Sequence, residues 1–277
     1  MMNSRCLRLI EITILINCVY TGRLTIQENE ERIANCGKKQ LTSENFEKFA
    51  SGKDGTHFIM PSATYLVRVL TLDHQENLAS GFFISPRHIL TSSQSVFNEK
   101  RQWLNDTNDQ ITEKMCTTPK EVPPVYANQI RVIFDDSWKC FEKTPCHLGK
   151  IKNATLLSLC RPIDAKDAKD KEFKIFFSPM LIELETNHKN IKFPCLADSS
   201  TELKPGDVVH AHRWQWYIEN GKNLSRPQYL KRTIDSVEDE FIATGQKQYI
   251  EKVRGGLLVM HETPKGTLAI GIDATSE

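Results

Sequence analysis

Apolar positions in this chain come in short bursts. Residues 65–70, 81–84, 129–134, 180–184, 207–210 and 256–260 are each wholly apolar or alternate apolar with polar, and each is bounded by Gly, Pro, Asn or Ser. Runs of this kind fit a pleated surface with one or both faces buried, and predict β-strands. Because few stretches show helical periodicity, the pattern predicts an all-β sandwich or a pair of barrels. Ahead of the strands, Thr25 and Glu28 have capping-box spacing, which predicts a polar helix running to about Asn35 and ended by Cys36 and Gly37. Residues 38–62 are polar and mixed, a lead-in to the strands. Residues 98–124 are also polar and carry a cysteine and Pro123-Pro124, which predicts a long surface excursion. Residues 161–172 alternate in charge, as a solvated loop or exposed turn does.

With 277 residues the chain can bury a substantial core, as one large domain or as two packed halves. A net charge of +1, from 36 basic and 35 acidic residues without long blocks, leaves no electrostatic footprint for nucleic acid or anionic lipid. No repeat period is present, so solenoids and propellers drop out. Residues 1–22 have the pattern of a secretory signal: Arg5 and Arg8 precede an apolar run, interrupted by Glu11, that ends near Thr21 and Gly22. The run is well short of the roughly 20 residues of a spanning helix, so no membrane association beyond the signal is expected. Removal of the signal leaves Cys36, Cys116, Cys140, Cys146, Cys160 and Cys195, an even set of the kind that forms disulfides in an oxidising compartment. A zinc site is disfavoured, since neither Cys-x-x-Cys nor His-x-x-x-His spacing occurs. Sequons at Asn105, Asn153 and Asn223 agree with a secreted, extracellular glycoprotein.

Three segments carry a resemblance. Ser80-Gly81-Phe82-Phe83-Ile84-Ser85-Pro86-Arg87-His88-Ile89-Leu90-Thr91-Ser92-Ser93-Gln94 resembles the strand, turn and strand that end in Leu-Thr-Ala-Ala-His-Cys in trypsin-like serine proteases. Ile191-Lys192-Phe193-Pro194-Cys195-Leu196 resembles the inter-barrel segment of that family, and Arg254-Gly255-Gly256-Leu257-Leu258-Val259 its Gly-Asp-Ser-Gly-Gly-Pro-Leu-Val nucleophile loop. The three occur in the family's order. With the leading Leu-Thr-x-x-Glu-Asn helix ending in Cys-Gly, the whole is similar to a nematode-expanded, secreted branch of these proteins. The resemblance implies two six-stranded antiparallel Greek-key barrels over residues 63–277, preceded by a lead-in over 23–62. It also implies that the second barrel is shortened: residues 270–277 resemble the Ile-Val-Ser-Trp-Gly strand, after which the family adds another strand and a helix. An unpaired sheet edge is the expected consequence.

The resemblance also says what chemistry to look for: a hydroxyl nucleophile, an imidazole base, a carboxylate to orient it and backbone donors for an oxyanion. Gln94 stands at the histidine position, and an amide is no base near neutral pH. Ser178 stands at the aspartate position and Arg254 at the serine position, where a guanidinium is permanently charged and not nucleophilic. Lys252 replaces an oxyanion-hole glycine, Gln248 a specificity aspartate and Val253 the aspartate that pairs with a freed N-terminus. The cysteines that flank the catalytic histidine are Ala79 and Ser95, lost together. Cys36 and Cys195 match the family's link between propeptide and inter-barrel segment, a disulfide the resemblance implies. Cys116, Cys140, Cys146 and Cys160 allow three pairings. His88 reads as a packing ring in a turn. His210 and His212 share a strand face and read as half-exposed positions rather than metal ligands, since a site needs three or four donors. Trp214, Trp216 and Tyr217 read as barrel packing.

The expected function is therefore an inactive protease homologue that binds an extracellular protein partner, residues 98–124 being the first contact candidate. Neither cofactor nor metal is expected. The alternative is a serine-type endopeptidase that works through displaced groups.

Overall fold

The computed structural model describes residues 24–37, 66–71, 74–97, 102–103, 106–110, 120–134, 148–157, 179–188, 191–219, 222–237, 242–244 and 254–274. Helix α1 (Ile26–Asn35) is followed by β1 (Leu66–Thr71), β2 (His74–Ser85), β3 (His88–Ser92), β4 (Gln102–Trp103), β5 (Asp106–Gln110) and β6 (Lys120–Glu121). One short helix, α2 (Pro124–Ala127), leads into β7 (Ile130–Ile133), β8 (Leu148–Gly149), β9 (Ile151–Leu156), β10 (Pro179–Leu184) and β11 (Cys195–Leu196). Strands β12 (Val208–Glu219), β13 (Lys222–Val237), β14 (Ile242–Thr244), β15 (Arg254–Thr263) and β16 (Gly266–Ala274) complete the order.

The fold is all-β in two antiparallel halves. In the first half the strands run β9-β10-β3-β2-β1-β7, each pair antiparallel. In the second they run β14-β13-β12-β15-β16-β11, antiparallel except for the last pair. A single parallel bridge between Arg254 of β15 and Ala79 of β2 makes the two halves one continuous sheet.

Period-two alternation decides which side chains meet. On β12, Val209 and Ala211 pack with Leu230, Ile234 and Leu258 in the core of the second half. Trp214 on the opposite face joins Tyr229, Leu257 and Val259 in the main core, with Phe82, Phe83, Ile84 and Ile89 of the first half. These four are almost wholly buried, worth about 1.5–3 kcal/mol each relative to exposure.

Helix α1 forms as its capping box dictates: Thr25 Oγ1 accepts from Glu28 N at 3.1 Å, while Thr25 N donates to Glu28 Oε2 at 2.7 Å. Its end is tied down by the Cys36–Cys195 disulfide, Cα–Cα 4.7 Å. Residues 1–23 and 38–65, with Cys116, Cys140, Cys146 and Cys160, lie outside the described residues. No described helix is long and apolar enough to cross a membrane.

Two expectations change. Within the excursion over 98–124, of which residues 98–101, 104–105 and 111–119 lie outside the described residues, Trp103 leaves the surface and is buried, with ring centroids 4.2 Å from Phe97 and 4.2 Å from Tyr126. The edge expected to be unpaired is partly covered, because β11 lies parallel to β16 through Cys195↔Leu268 and Leu196↔Ala269.

Candidate functional site

The site lies on the seam between the halves. Strand β3 ends in a tight 3-10 turn, Ser93–Ser95, capped by Ser92, whose Oγ accepts from Gln94 N at 3.2 Å. Ser95 Oγ donates back to Ser92 O at 2.6 Å. The turn places Gln94 in the interior, 1% exposed. Ser92 Oγ is 3.4 Å from Gln94 Oε1, and the amide Nε2 donates to no described residue.

Two further strands arrive at the same point. Pro179 of β10 pairs with Ser92, which brings the chain just after Ser178 to the turn, although Ser178 itself lies outside the described residues. From the second half comes Gly255, with φ +72°. A Cβ there would stand 2.3 Å from Ser80 O, 2.7 Å from Thr91 Oγ1 and 3.0 Å from Ser92 N, so only glycine lets β15 pass this close. Its predecessor Arg254 then pairs with Ala79. The backbone thus brings β15, at Gly255, against the turn that holds Gln94. Lys252, Val253 and Gln248 lie outside the described residues.

The seam is reinforced by polar contacts. Trp214 N donates to Ser80 Oγ at 2.7 Å, and the Arg68 guanidinium carbon lies 4.7 Å from the Trp214 ring centroid. Arg68 is fully buried, its guanidinium covered by Trp214 of the second half. A desolvated cation over an indole face is attractive by about 2 kcal/mol.

Chemically, the described part of the site offers no base. The Ser–His contact nearest to a catalytic pair is Ser85 Oγ to His88 Nδ1, 2.8 Å. Both residues are fully buried at the opposite end of β3, and Ser85 Oγ also accepts from Arg87 N and His88 N. That makes the pair a turn clasp, the packing role read for His88.

His210 and His212 are corrected. They are 3% and 1% exposed, not half-exposed. The face they share is closed by Tyr229 and by a third ring, His261 of β15, whose centroid lies 4.8 Å from His210 and 5.6 Å from His212. Period two ties His210 to His212, but no spacing rule reaches a residue three strands later in the sequence, so sequence reasoning missed His261. Among the described residues, no group of three or more His, Cys, Asp or Glu side chains is arranged to hold a metal ion. Trp214 is buried as predicted.

Of the sequons, Asn105 lies outside the described residues and Asn223 stands near the β12–β13 turn. Asn153 is within β9, where its Nδ2 donates to Glu183 Oε2 at 3.0 Å.

Compared with known proteins, residues 6–277 match the Nematode trypsin-6-like family. No curated protein matches the chain.

Proposed function

The chain belongs to the Nematode trypsin-6-like family, and on that premise we propose that it is a secreted serine protease homologue that binds another extracellular protein and does not hydrolyse peptide bonds. The observation that carries this reading is Gln94, held inside the Ser92–Ser95 turn at the point where β10 and β15 converge. A neutral amide there neither removes a proton from a nucleophile nor returns one to a leaving group. Arg254, at the family's nucleophile position, supplies no hydroxyl. Export is supported by the signal-like pattern of residues 1–22 and by the Cys36–Cys195 bond, which persists in an oxidising compartment.

The test is fluorophosphonate labelling of the purified, secreted protein, with and without a competing serine protease inhibitor, alongside peptide turnover. Neither labelling nor turnover is expected. Inhibitor-competed labelling at a mapped serine would establish the alternative, an endopeptidase that works through displaced groups.

A further inference from the structure

The three histidines on the inner face of β12 and β15 have no part in the chemistry above. Their arrangement gives them another. His210 and His212 alternate with Val209 and Ala211, so both rings point to the same face. His212 pairs with Tyr229 across to β13 and with Leu257 across to β15; His210 pairs with Lys231 and with Val259. His261 continues the Leu257, Val259 series on β15 and contacts Thr267 Oγ1 of β16 through Nδ1, at 3.1 Å. One cluster therefore touches all four of the long strands that make up the second half.

We propose that His210, His212 and His261 form an acid-sensitive latch, which holds β12, β13, β15 and β16 together while the rings are neutral and lets them part when the surroundings become mildly acidic.

The physical ground is crowding and burial. Three imidazoles whose centroids are 4.8 Å and 5.6 Å apart cannot accept protons without placing like charges side by side away from water. Among the described residues, the titratable groups that alternate onto this face of β13 are Tyr229, Lys231 opposite His210 and, further along, Asp235, the last two exposed. On β15 the group is His261 itself, and β16 contributes the uncharged Thr267. The carboxylate of Asp198, which follows β11, is held by Lys265 at the β15–β16 turn. Arg213 of β12 points to the opposite face, where it bonds Gln228 at 2.6 Å.

The protonation equilibria agree with the geometry. Burial first, then His261 and His210, pushes His212 well below the ordinary imidazole value. Burial and His210 push His261 to about 3. A histidine whose folded value is depressed stabilises the fold above its unfolded value of about 6.5, and that stability drains away as pH falls below it. Each such ring lowers the folding constant of its unit about thirty-fold between pH 7.5 and pH 5, and the two together about a thousand-fold. A neutral-to-acid step of that size is enough to shift a marginal sheet from closed to open.

Hydrogen exchange read by mass spectrometry at pH 7.5 and pH 5, corrected for intrinsic rates, tests this on the intact chain. The expected result is a loss of protection of at least a hundred-fold in 208–214, 228–231 and 255–261, with β1, β3 and β10 keeping theirs. In the double variant His212→Gln, His261→Gln that acid-induced loss is expected to shrink to less than ten-fold. Protection that is independent of pH in the natural chain, or an acid loss unchanged in the double variant, overturns the proposal. Should the double variant not fold, the histidine C2-proton signals of the natural chain decide. Two rings that keep neutral shifts down to the pH of opening support the latch, whereas ordinary titration of every ring near 6.5 refutes it.

Discussion

Arg87 and Glu28, 59 residues apart in sequence, are joined by two hydrogen bonds that fasten α1 to the turn between β2 and β3. Glu28 is thus used twice, as the capping-box carboxylate and as the helix's anchor. Arg87 is used twice as well, since its other arm reaches Glu183 of β10, which also holds Lys152 Nζ at 3.0 Å and Asn153 Nδ2 at 3.0 Å.

This chain of contacts ranks two substitutions. Arg87→Met removes the main cation from Glu183, whose side chain is 2% exposed, and leaves a buried carboxylate with Lys152 and Asn153 as its side-chain partners among the described residues; a loss of about 3–5 kcal/mol is expected. Glu28→Gln leaves the less buried end of the network and keeps a helix-capping amide, so about 1–2 kcal/mol is expected. Urea midpoints at pH 7 measure both, and a larger effect of the Glu28 change would show that the helix, not Glu183, sets the strength of the network.

The same carboxylate has an acid signature. Burial raises Glu28, but hydrogen bonds from Arg87 and from the Thr25 backbone and hydroxyl outweigh it, and the group is lowered to about 2. A depressed carboxylate stabilises the fold above its unfolded value of about 4.5 and loses that contribution as pH falls toward 2. The slope of stability against pH between 4.5 and 2 is therefore expected to be shallower in Glu28→Gln, while the two proteins run parallel from pH 5 to 8.

The Cys36–Cys195 bond closes a loop of 159 residues in sequence separation. A loop that long restrains the unfolded chain by up to about 5 kcal/mol in the loop-entropy account. The double variant Cys36→Ala, Cys195→Ala is expected to lose about 2–5 kcal/mol, and reductant is expected to lower the melting temperature of the natural chain but not of the variant.

Much of this was legible in the sequence because burial was written as short apolar runs. The helix appeared at its observed limits, and residues 81–84 and 180–184 fall inside β2 and β10. Strand β9 was missed because Lys152 and Asn153 break its apolar pattern; they serve Glu183 on the neighbouring strand, a need no local rule expresses. Strand β13 was missed for a related reason. It carries Pro227 and exposed Lys231, Thr233 and Asp235, and follows β12 because a long hairpin register aligns them. The roles that the resemblance implies for Gln94 and Arg254 have no local signal in the sequence; the structure adds Gly255, which lets β15 pass against the turn that holds Gln94.

That glycine makes a sharp contrast. Gly255→Ala would place a methyl 2.3 Å from Ser80 O at φ +72°, against backbone that cannot yield, and a loss above about 4 kcal/mol with failure to accumulate soluble protein is expected. Gly206 also has positive φ, +96°, but a Cβ there meets nothing within 4 Å, so Gly206→Ala carries backbone strain alone, about 1–2 kcal/mol. Equal effects at the two positions would mean that strain, rather than the crossing at Ser80, accounts for Gly255.

Gln94 permits the last test. A buried amide whose Nε2 has no described partner carries a desolvation cost of about 1–3 kcal/mol, set against one weak contact from Ser92 Oγ. Met has a similar length and no donor to satisfy, so Gln94→Met is expected to stabilise the isolated protein by about 1 kcal/mol in urea unfolding. Gln94→Glu keeps the shape and adds a charge in a turn that offers no cation among the described residues, and is expected to cost several kcal/mol. Gln94→His restores an imidazole at the seam but not a nucleophile, so peptide turnover is expected to stay at background and fluorophosphonate labelling to stay absent. A destabilised Gln94→Met protein would show that the amide is satisfied within the fold, and turnover in Gln94→His would show that the site has kept a hydroxyl able to attack.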